Sequence, residues 1–529
     1  MKSSGKINII KICIALFLAV SVVIPLIRML IYMFDTDIGK VLSSVQFTNA
    51  LTNSITATTV ATVLSLVLAL GAAWCVTRSG IKYKAILSIV LTLPMLIPSI
   101  SHGMGLIILF GNNGVITNFL GINGNIYGFW GIVSGSVMYS FPVAFLMLAD
   151  VMKYEDSSPY EAANVLGISK WRQFVSITLP YLRKPLISVI FALFTMIVTD
   201  YGVPLMLRGN YTTLPVMMYD EAVGQLNFAK GTVIGAVLLI PALAAFIIDV
   251  LNKDRGNSGY VIKQFEMKKN RVRDFFSYSF CAVLIVCILL PIFSYVLLTF
   301  TSKYPSNISF TLNHIKSTFT MDGGTFLINS FIIALGVSIV GIVVVFITAY
   351  LTARLKSKMS KLLHLISITS LAIPGLVLGL AYVLVFNGTF MQGTIALLIL
   401  VNIVHFFASP YLMMYNTFNK LNENLEIVGL TLGVGRMHVI KDVIVPQTKS
   451  TIIELGSYFF VNSMMTISAV SFLSAGKIKP ISLMLSQFEA QMLIECAAFV
   501  SLLILTVNVV IKGIVYILKR RMAKKERNA

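Results

Sequence analysis

Few side chains in this sequence are spaced for chemistry, and those that are point to mechanics rather than to bond making. The five cysteines, Cys13, Cys75, Cys281, Cys287 and Cys496, fall within or beside apolar runs and never at the spacing of a zinc or redox pair. The five histidines, His102, His314, His364, His405 and His438, are scattered, so no metal site is expected. No run places glycine, four residues, glycine, lysine and serine or threonine in series; the stretch at Gly433, GVGRMH, comes nearest and fails. The stretch that stands out is Glu161 to Pro180, EAANVLGISKWRQFVSITLP, polar and wedged between apolar runs. Ser158, Pro159 and Glu161 fit a helix start: a serine cap, a proline where no amide hydrogen is needed, a glutamate returning a hydrogen bond. Gly167 supplies the left-handed turn past the helix end, a second helix from Lys170 to Thr178 follows, and Pro180 closes the unit. A second stretch, Asn424 to Pro446, repeats the design, with Gly433 preceding Pro446 by the thirteen residues that separate Gly167 from Pro180. A rigid capped helix tied to the spans on either side can pass a partner's motion into the rest of the chain, which a flexible loop cannot.

Asp200 is the other candidate. It is the acidic residue near the middle of an apolar span, in TMIVTDYGVPLML, and an ionisable group at that depth is costly unless it faces the bundle interior or water. With Tyr201, Gly202 and Pro204 it makes an irregular polar patch, and the matching stretch of the second half carries Thr466, Ser468 and Ser471, polar but uncharged. A path through the centre is therefore expected to be asymmetric. Hydrogen bonding of Asp200 to a neighbouring helix is the equal alternative. Pro94, Pro98 and Pro374 interrupt the third span of each half, and a broken helix frees backbone groups that protein or a water-lined cavity must satisfy.

The elements that must position these residues are membrane spans. With 57% hydrophobic and 12% charged residues over 529 positions, the chain has too little polar surface for a soluble globule. About twelve spans of about 20 apolar residues can be marked, near 8–34, 54–77, 85–110, 128–152, 185–207, 230–252, 275–300, 327–351, 361–386, 392–416, 450–474 and 490–518. The first is too long, and too soon followed by others, to read as a cleaved signal peptide. With both termini in the cytoplasm, most of the 41 Lys and Arg fall on that side, as the positive-inside rule requires. The net charge of +20 then belongs to membrane-facing clusters such as Lys268, Lys269, Arg271 and Arg273 or Lys519, Arg520 and Arg521, set against anionic lipid rather than nucleic acid. Six spans per half make the halves parallel repeats, 1–262 and 263–529. Asn53, Ser54, Arg78, Pro98 and Gly103 recur as Asn329, Ser330, Arg354, Pro374 and Gly379, and Gly167 recurs as Gly433. Small-residue pairs such as Gly131 with Gly135 and Gly375 with Gly379 suit close helix packing.

Glu-Ala-Ala, three residues, Gly, nine residues, Ile-x-Leu-Pro resembles the cytoplasmic signature, the EAA motif, of permease subunits of binding-protein-dependent ABC importers. The first copy matches at Glu161, Ala162, Ala163, Gly167 and Pro180; the second departs, with Ile427 at the glutamate position, Glu426 one residue early, and Val428 and Gly429 for the alanines before Gly433 and Pro446. The resemblance extends over nearly the whole chain and is to fused permeases of the ferric iron, thiamine and 2-aminoethylphosphonate importers. It implies an all-α, polytopic, multi-pass protein of the bacterial cytoplasmic (inner) membrane. It also implies that these helices dock on two copies of an ABC ATPase subunit, that ATP and Mg are used there and no cofactor is bound by this chain, and that an extracytoplasmic solute-binding protein delivers the substrate. The second element is the weaker match. The run from Asp200 to Gly231 is more similar to the phosphonate branch than to the iron branch. An ion-coupled secondary transporter with parallel repeats is the alternative, but it should carry several ionisable groups at mid-depth, and a membrane-embedded enzyme should cluster acids, bases or metal ligands.

Overall fold

The computed structural model describes residues 2–121, 125–252, 263, 265 and 270–528; most of the segment joining the halves, Lys268 and Lys269 included, lies outside the described residues. The fold is helical, and its one sheet among the described residues is a hairpin pairing Thr301–Lys303 with Asn307–Phe310. Among the described residues nine helices are long and apolar enough to cross a membrane, or up to eleven if each of two bent pairs is one span. The count falls short of twelve because Val445–Met465, where the eleventh span was expected, is a 21-residue helix whose Gln447, Lys449, Glu454 and Asn462 dilute its apolar character.

Two compact units emerge, residues 1–38, 220–239 and 315–529, and residues 39–219 and 240–314. Each therefore takes its first span from the other half of the sequence. In the second of these, Val45–Arg78 starts at Ser44, whose hydroxyl accepts from the Phe47 amide at 3.3 Å, a serine N-cap. Ala57, Ala61, Ser65, Ala69 and Ala72 then bury a face of small residues three, four or seven apart, which lets Phe129–Lys153 lie close along it. Ser65 and Ser140 hydrogen-bond there at 2.7 Å, and Leu91, Phe145, Leu148 and Leu193 complete the core. Arg271–Phe300 joins this unit, with the Tyr295 hydroxyl donating to the Ser101 carbonyl.

In the other unit Gly324–Ala353 packs against Val445–Met465 and Ala408–Lys420, and the N-terminal Ile24–Tyr32 lies on Gly375–Phe386. Tyr382 donates to the Ser21 carbonyl at 2.7 Å. Lys11 is buried and donates to the Leu355 carbonyl, Ser357 and Ser360.

The prolines of the third spans break helices rather than merely kink them. Ile97 and Ile373 are held extended, as residues before proline prefer, and new helices start directly after Pro98 and Pro374, at Ser99–Phe110 and Gly375–Phe386. In the second half the flanking helices are bent by 111°. The fifth span is broken too: Leu179–Val198 ends, Thr199 to Tyr201 turn, and Gly202–Leu207 begins. Its counterpart Val445–Met465 likewise stops short of the apolar run that follows.

Candidate functional site

The first polar element is a short helix, Ser158–Val165, a left-handed glycine, and a second helix that begins at Lys170. Gly167 has φ +68° and nothing within 4 Å of where a Cβ would sit. The turn is closed by the Ile168 amide donating to the Ala163 carbonyl at 2.9 Å and the Gly167 amide donating to Asn164 at 3.2 Å, so buried Ala163 anchors the glycine that ends its helix. Two expectations need correction. The helix starts after Ser157, not at a Ser158 cap: Ser158 is its first residue, and the Asp156 carboxylate accepts from the Ser158 amide at 3.1 Å and its hydroxyl at 2.9 Å. The carboxylate out-competes the hydroxyl as an acceptor for exposed amides, and those bonds hold Asp156 below the usual carboxylate range. Pro180 does not close the unit. Lys170–Gln173 runs through a wide π turn, Phe174–Thr178, into Leu179–Val198, with Pro180 in its first turn, where a missing amide hydrogen is tolerated.

Glu161 lies in the first turn and is exposed with Ala162, its carboxylate accepting from Lys263 at 2.7 Å and Ser157 at 3.3 Å. The Lys263 hydrogen bond lowers its pKa. The joining segment thus grips this element: the Lys263 carbonyl accepts from the Ser157 amide at 2.9 Å, and the Phe265 ring lies under the Arg78 guanidinium at 3.2 Å and edge-on to Tyr160. Arg78, at the end of its long helix, is buried and pairs with buried Glu155, which also accepts from the Tyr160 hydroxyl.

The second element reproduces this architecture with different side chains. Leu425–Thr431 ends at Gly433, φ +74° and equally open; Arg436–Val439 then passes through a π turn into Val445–Met465, with Pro446 placed like Pro180. The Val434 amide donates to the Gly429 carbonyl at 2.8 Å. Gly429 stands where the first copy has Ala163, and a Cβ there would lie 2.4 Å from Val439, so the departure from alanine makes room for a β-branched neighbour. Glu426, one residue early for the motif glutamate, is buried, and receives Arg354 Nε at 2.9 Å and Nη2 in a bidentate pair. Arg354 also donates to the Leu421 and Asn422 carbonyls. Each long helix therefore ends in an arginine whose buried carboxylate partner belongs to, or directly precedes, the short helix. The recurrence of Arg78 as Arg354 was the available signal; the partners Glu155 and Glu426 come from tertiary structure. Both elements expose apolar side chains: Val165 is 89% and Trp171 72% exposed, Leu432 and Met437 both 73%.

The inner candidates also come together within their units. Half-buried Asp200 accepts from the Val203 amide at 3.0 Å and the Gly202 amide at 3.3 Å, and bonds Ser99, the residue after Pro98. Tyr201 is buried and stacks on Tyr219 at 5.1 Å. In the other unit a Cβ on Gly375, the residue after Pro374, would lie 2.2 Å from the Ser468 hydroxyl and 2.9 Å from the His405 ring. Thr466 is buried, its carbonyl accepting from Ser482 at 2.6 Å. So each half sets a polar residue of the broken fifth span against the helix that restarts after the third-span proline, carboxylate in one and hydroxyl in the other. Close packing at this seam uses the small residues, with Gly135 facing Val203 and Gly379 facing Ala469. Among the described residues no group of three His, Cys, Asp or Glu could hold a metal ion.

The family described as binding-protein-dependent transport system inner membrane component matches this chain twice, over residues 61–254 and 345–524, once in each half. The chain is 26% identical over 400 residues to the ferric transport system permease protein FbpB of Actinobacillus pleuropneumoniae, covering 72% of this chain and 58% of that protein. It is 26% identical over the same length to a putative ferric transport system permease protein FbpB 1 of Haemophilus influenzae, covering 72% and 63%. It thus spans about six-tenths of the length of these relatives. The molybdenum transport system permease protein ModB of Azotobacter vinelandii is 28% identical over 184 residues, 33% of this chain and 81% of that protein.

Proposed function

Since the chain belongs to the family of binding-protein-dependent transport system inner membrane components, we propose that it is the fused permease of an ABC importer, a passage rather than an enzyme. Two ATPase subunits dock on its two polar elements from the cytoplasm, where both termini also lie, and an extracytoplasmic binding protein presents a small solute on the other side. The observation that carries this reading is the doubled element itself: helix, left-handed glycine, helix, with exposed apolar side chains at the tip and a buried arginine pair at the root. Apolar exposure outside the spans is where a protein partner is expected, and the buried root makes the element stiff enough to carry motion. On this reading 1–262 and 263–529 are the two permease halves. Reconstituted alone, the chain should give no uptake, and with its ATPase subunits, binding protein and ATP it should; solute accumulation by the chain alone under a proton or sodium gradient would move it to the secondary transporters.

For the substrate, the names of the two long relatives favour ferric iron, whereas the run from Asp200 to Gly231 favours a phosphonate such as 2-aminoethylphosphonate, and thiamine is the third of the family's substrates. Competition between labelled ferric iron and 2-aminoethylphosphonate in the reconstituted system decides between the first two. The translocation-path residues on this reading are Asp200, Tyr201 and Pro98 in the first half and Thr466, Ser468 and Pro374 in the second. Asp200→Asn keeps an acceptor for the Val203 amide but removes the charge, so uptake is expected to fall while membrane insertion and ATPase assembly persist. Normal uptake by this variant would take the charge out of the mechanism.

A further inference from the structure

Two cysteines far apart in the sequence, Cys75 and Cys281, meet where Val45–Arg78 packs on Arg271–Phe300. Those helices run antiparallel there, and contacts on either side of Cys75 fix their register. One turn before it, a Cβ on Gly71 would lie 3.0 Å from the Phe280 ring. Just past the helix end, the Gly80 amide donates to the Asp274 carboxylate at 2.8 Å and the Lys82 amide to the Tyr278 hydroxyl at 2.8 Å. Cys75 lies between these contacts on one chain segment, and Ser277 and Cys281, four residues apart and so on one face of the other helix, lie opposite. The side chains meet as that register requires: the Cys281 thiol and the Ser277 hydroxyl both hydrogen-bond the Cys75 sulfur. Both cysteines are free thiols, 6% and 3% exposed, in one core with Ala72, Phe145 and Leu284.

A single buried thiol in apolar surroundings is ordinarily inert packing. Here a second thiol already touches the first, so side-chain rotation is what separates the pair from a bond. A disulfide also needs α-carbons about 4.4 to 6.8 Å apart, and glycine on both sides of Cys75 lets the backbones approach: a Cβ on Gly80 would lie 2.5 Å from the Asp274 carboxylate. Access is present too, since Cys75, with Gly71 and Ser277, lines an apolar cleft of about 610 Å³ whose wall includes Val67, 62% exposed. A small uncharged oxidant can reach the Cys75 sulfur through it. We propose that Cys75 and Cys281 are a redox pair that closes to a disulfide on reaction with a hydroperoxide. The Cys75 sulfur attacks the terminal peroxide oxygen, the O–O bond breaks, and Cys75 is left as a sulfenic acid while the alcohol departs. The Cys281 sulfur then attacks the Cys75 sulfur, the S–O bond breaks, and the hydroxyl leaves with the thiol proton as water. Each cysteine is oxidised by one electron and the peroxide takes both. The new bond joins the two halves of the sequence three residues before Arg78, whose pairing with Glu155 roots the first polar element.

Because the bond crosses from one half to the other, cutting the segment between them reads it out. A serine-protease recognition sequence is inserted after Gly256, membranes holding the full chain are treated with cumene hydroperoxide, and remaining thiols are blocked with N-ethylmaleimide. The solubilised protein is then cut and run on a non-reducing gel. The halves are expected to stay joined at the mass of a single chain and to separate on addition of dithiothreitol. A protein carrying Cys13→Ser, Cys287→Ser and Cys496→Ser together should behave in the same way. Cys75→Ser and Cys281→Ser should each lose the joined band, and Cys281→Ser is the sharper control, since the exposed Cys287, six residues on, is still present. Halves of the oxidised parent or of the triple variant that separate without reductant, or a joined band that survives either single change, overturn the proposal. No ATPase, binding protein or solute enters this measurement, so its failure and a failure of the importer reading are told apart.

Discussion

Gly167→Val is expected to abolish uptake and the retention of ATPase subunits while the membrane bundle still folds. The backbone at Gly167 sits at φ +68° with nothing within 4 Å of a Cβ position, so no clash arises and the whole cost is conformational. For an ordinary residue that cost is about 1 to 2 kcal/mol, and branching at Cβ adds to it. Set against a total stability of about 5 to 15 kcal/mol, it does not unfold the protein. It does act on a turn closed by two backbone hydrogen bonds, Ile168 to Ala163 and Gly167 to Asn164, beyond which the chain is exposed. Relaxing that turn to right-handed or extended backbone re-aims Leu166 and Trp171, 75% and 72% exposed, and with them the face offered to the partner. Gly167→Ala should show a milder form of the same loss. The motif alone gives Gly433→Val a lesser loss, since Ile427 replaces the glutamate; the geometry, φ +74° and equally open, gives the two glycines the same backbone cost. Purifying each variant with its ATPase subunits and counting those that remain bound measures this. Retention of both subunits with full transport by Gly167→Val would remove the element from the transmission of force.

What the sequence made legible here is what local chemistry decides. The apolar runs, the two glycines with positive φ, the proline breaks at Pro98 and Pro374 and the doubling all follow from residue type and spacing. The missing parts are set by tertiary partners. Arg78 finds Glu155 at a separation of 77 residues and Arg354 finds Glu426 at 72; a local reading assigns Glu426 to the surface because a carboxylate in a helix first turn is ordinarily solvated. Asp200 reads as a charge in mid-span, whereas the helix has ended at Val198 and the carboxylate caps the next one. The exchange of first spans is invisible to a repeat analysis, because Ile24–Tyr32 and Arg271–Phe300 keep their register in the repeat whichever unit they pack on. Even the grip of Lys263 on Glu161 had no signal, since one lysine among several in a basic linker looks like any other.

Glu426→Ala is expected to be strongly destabilising. The Arg354 and Glu426 side chains are only 5% and 10% exposed, so removing the carboxylate strands a buried guanidinium, a loss of about 3 to 5 kcal/mol. The carbonyls of Leu421 and Asn422 offer it hydrogen bonds but no neutralising charge. Replacing both partners, as Arg354→Leu with Glu426→Leu, should recover most of that loss, because two desolvated charges leave together. Glu161→Ala is the contrast: its pair with Lys263 has both side chains more than half exposed, and such pairs contribute little to stability. Acid should not mimic the mutation near neutrality. Burial pushes the Glu426 carboxyl up, but the hydrogen bonds and charge of Arg354 more than offset this and leave it below the usual carboxylate range. A depressed value in the folded state means that the contribution is complete above the ordinary carboxylate pKa of about 4.3 and is lost as pH falls below it. Thermal unfolding in detergent should therefore show the full Glu426→Ala deficit at every pH from 5 to 8, shrinking only below that window as the parent protein loses the same interaction. A deficit absent at pH 7, or a Leu–Leu double variant no better than Glu426→Ala, would mean that the buried arginine is not what roots the second element.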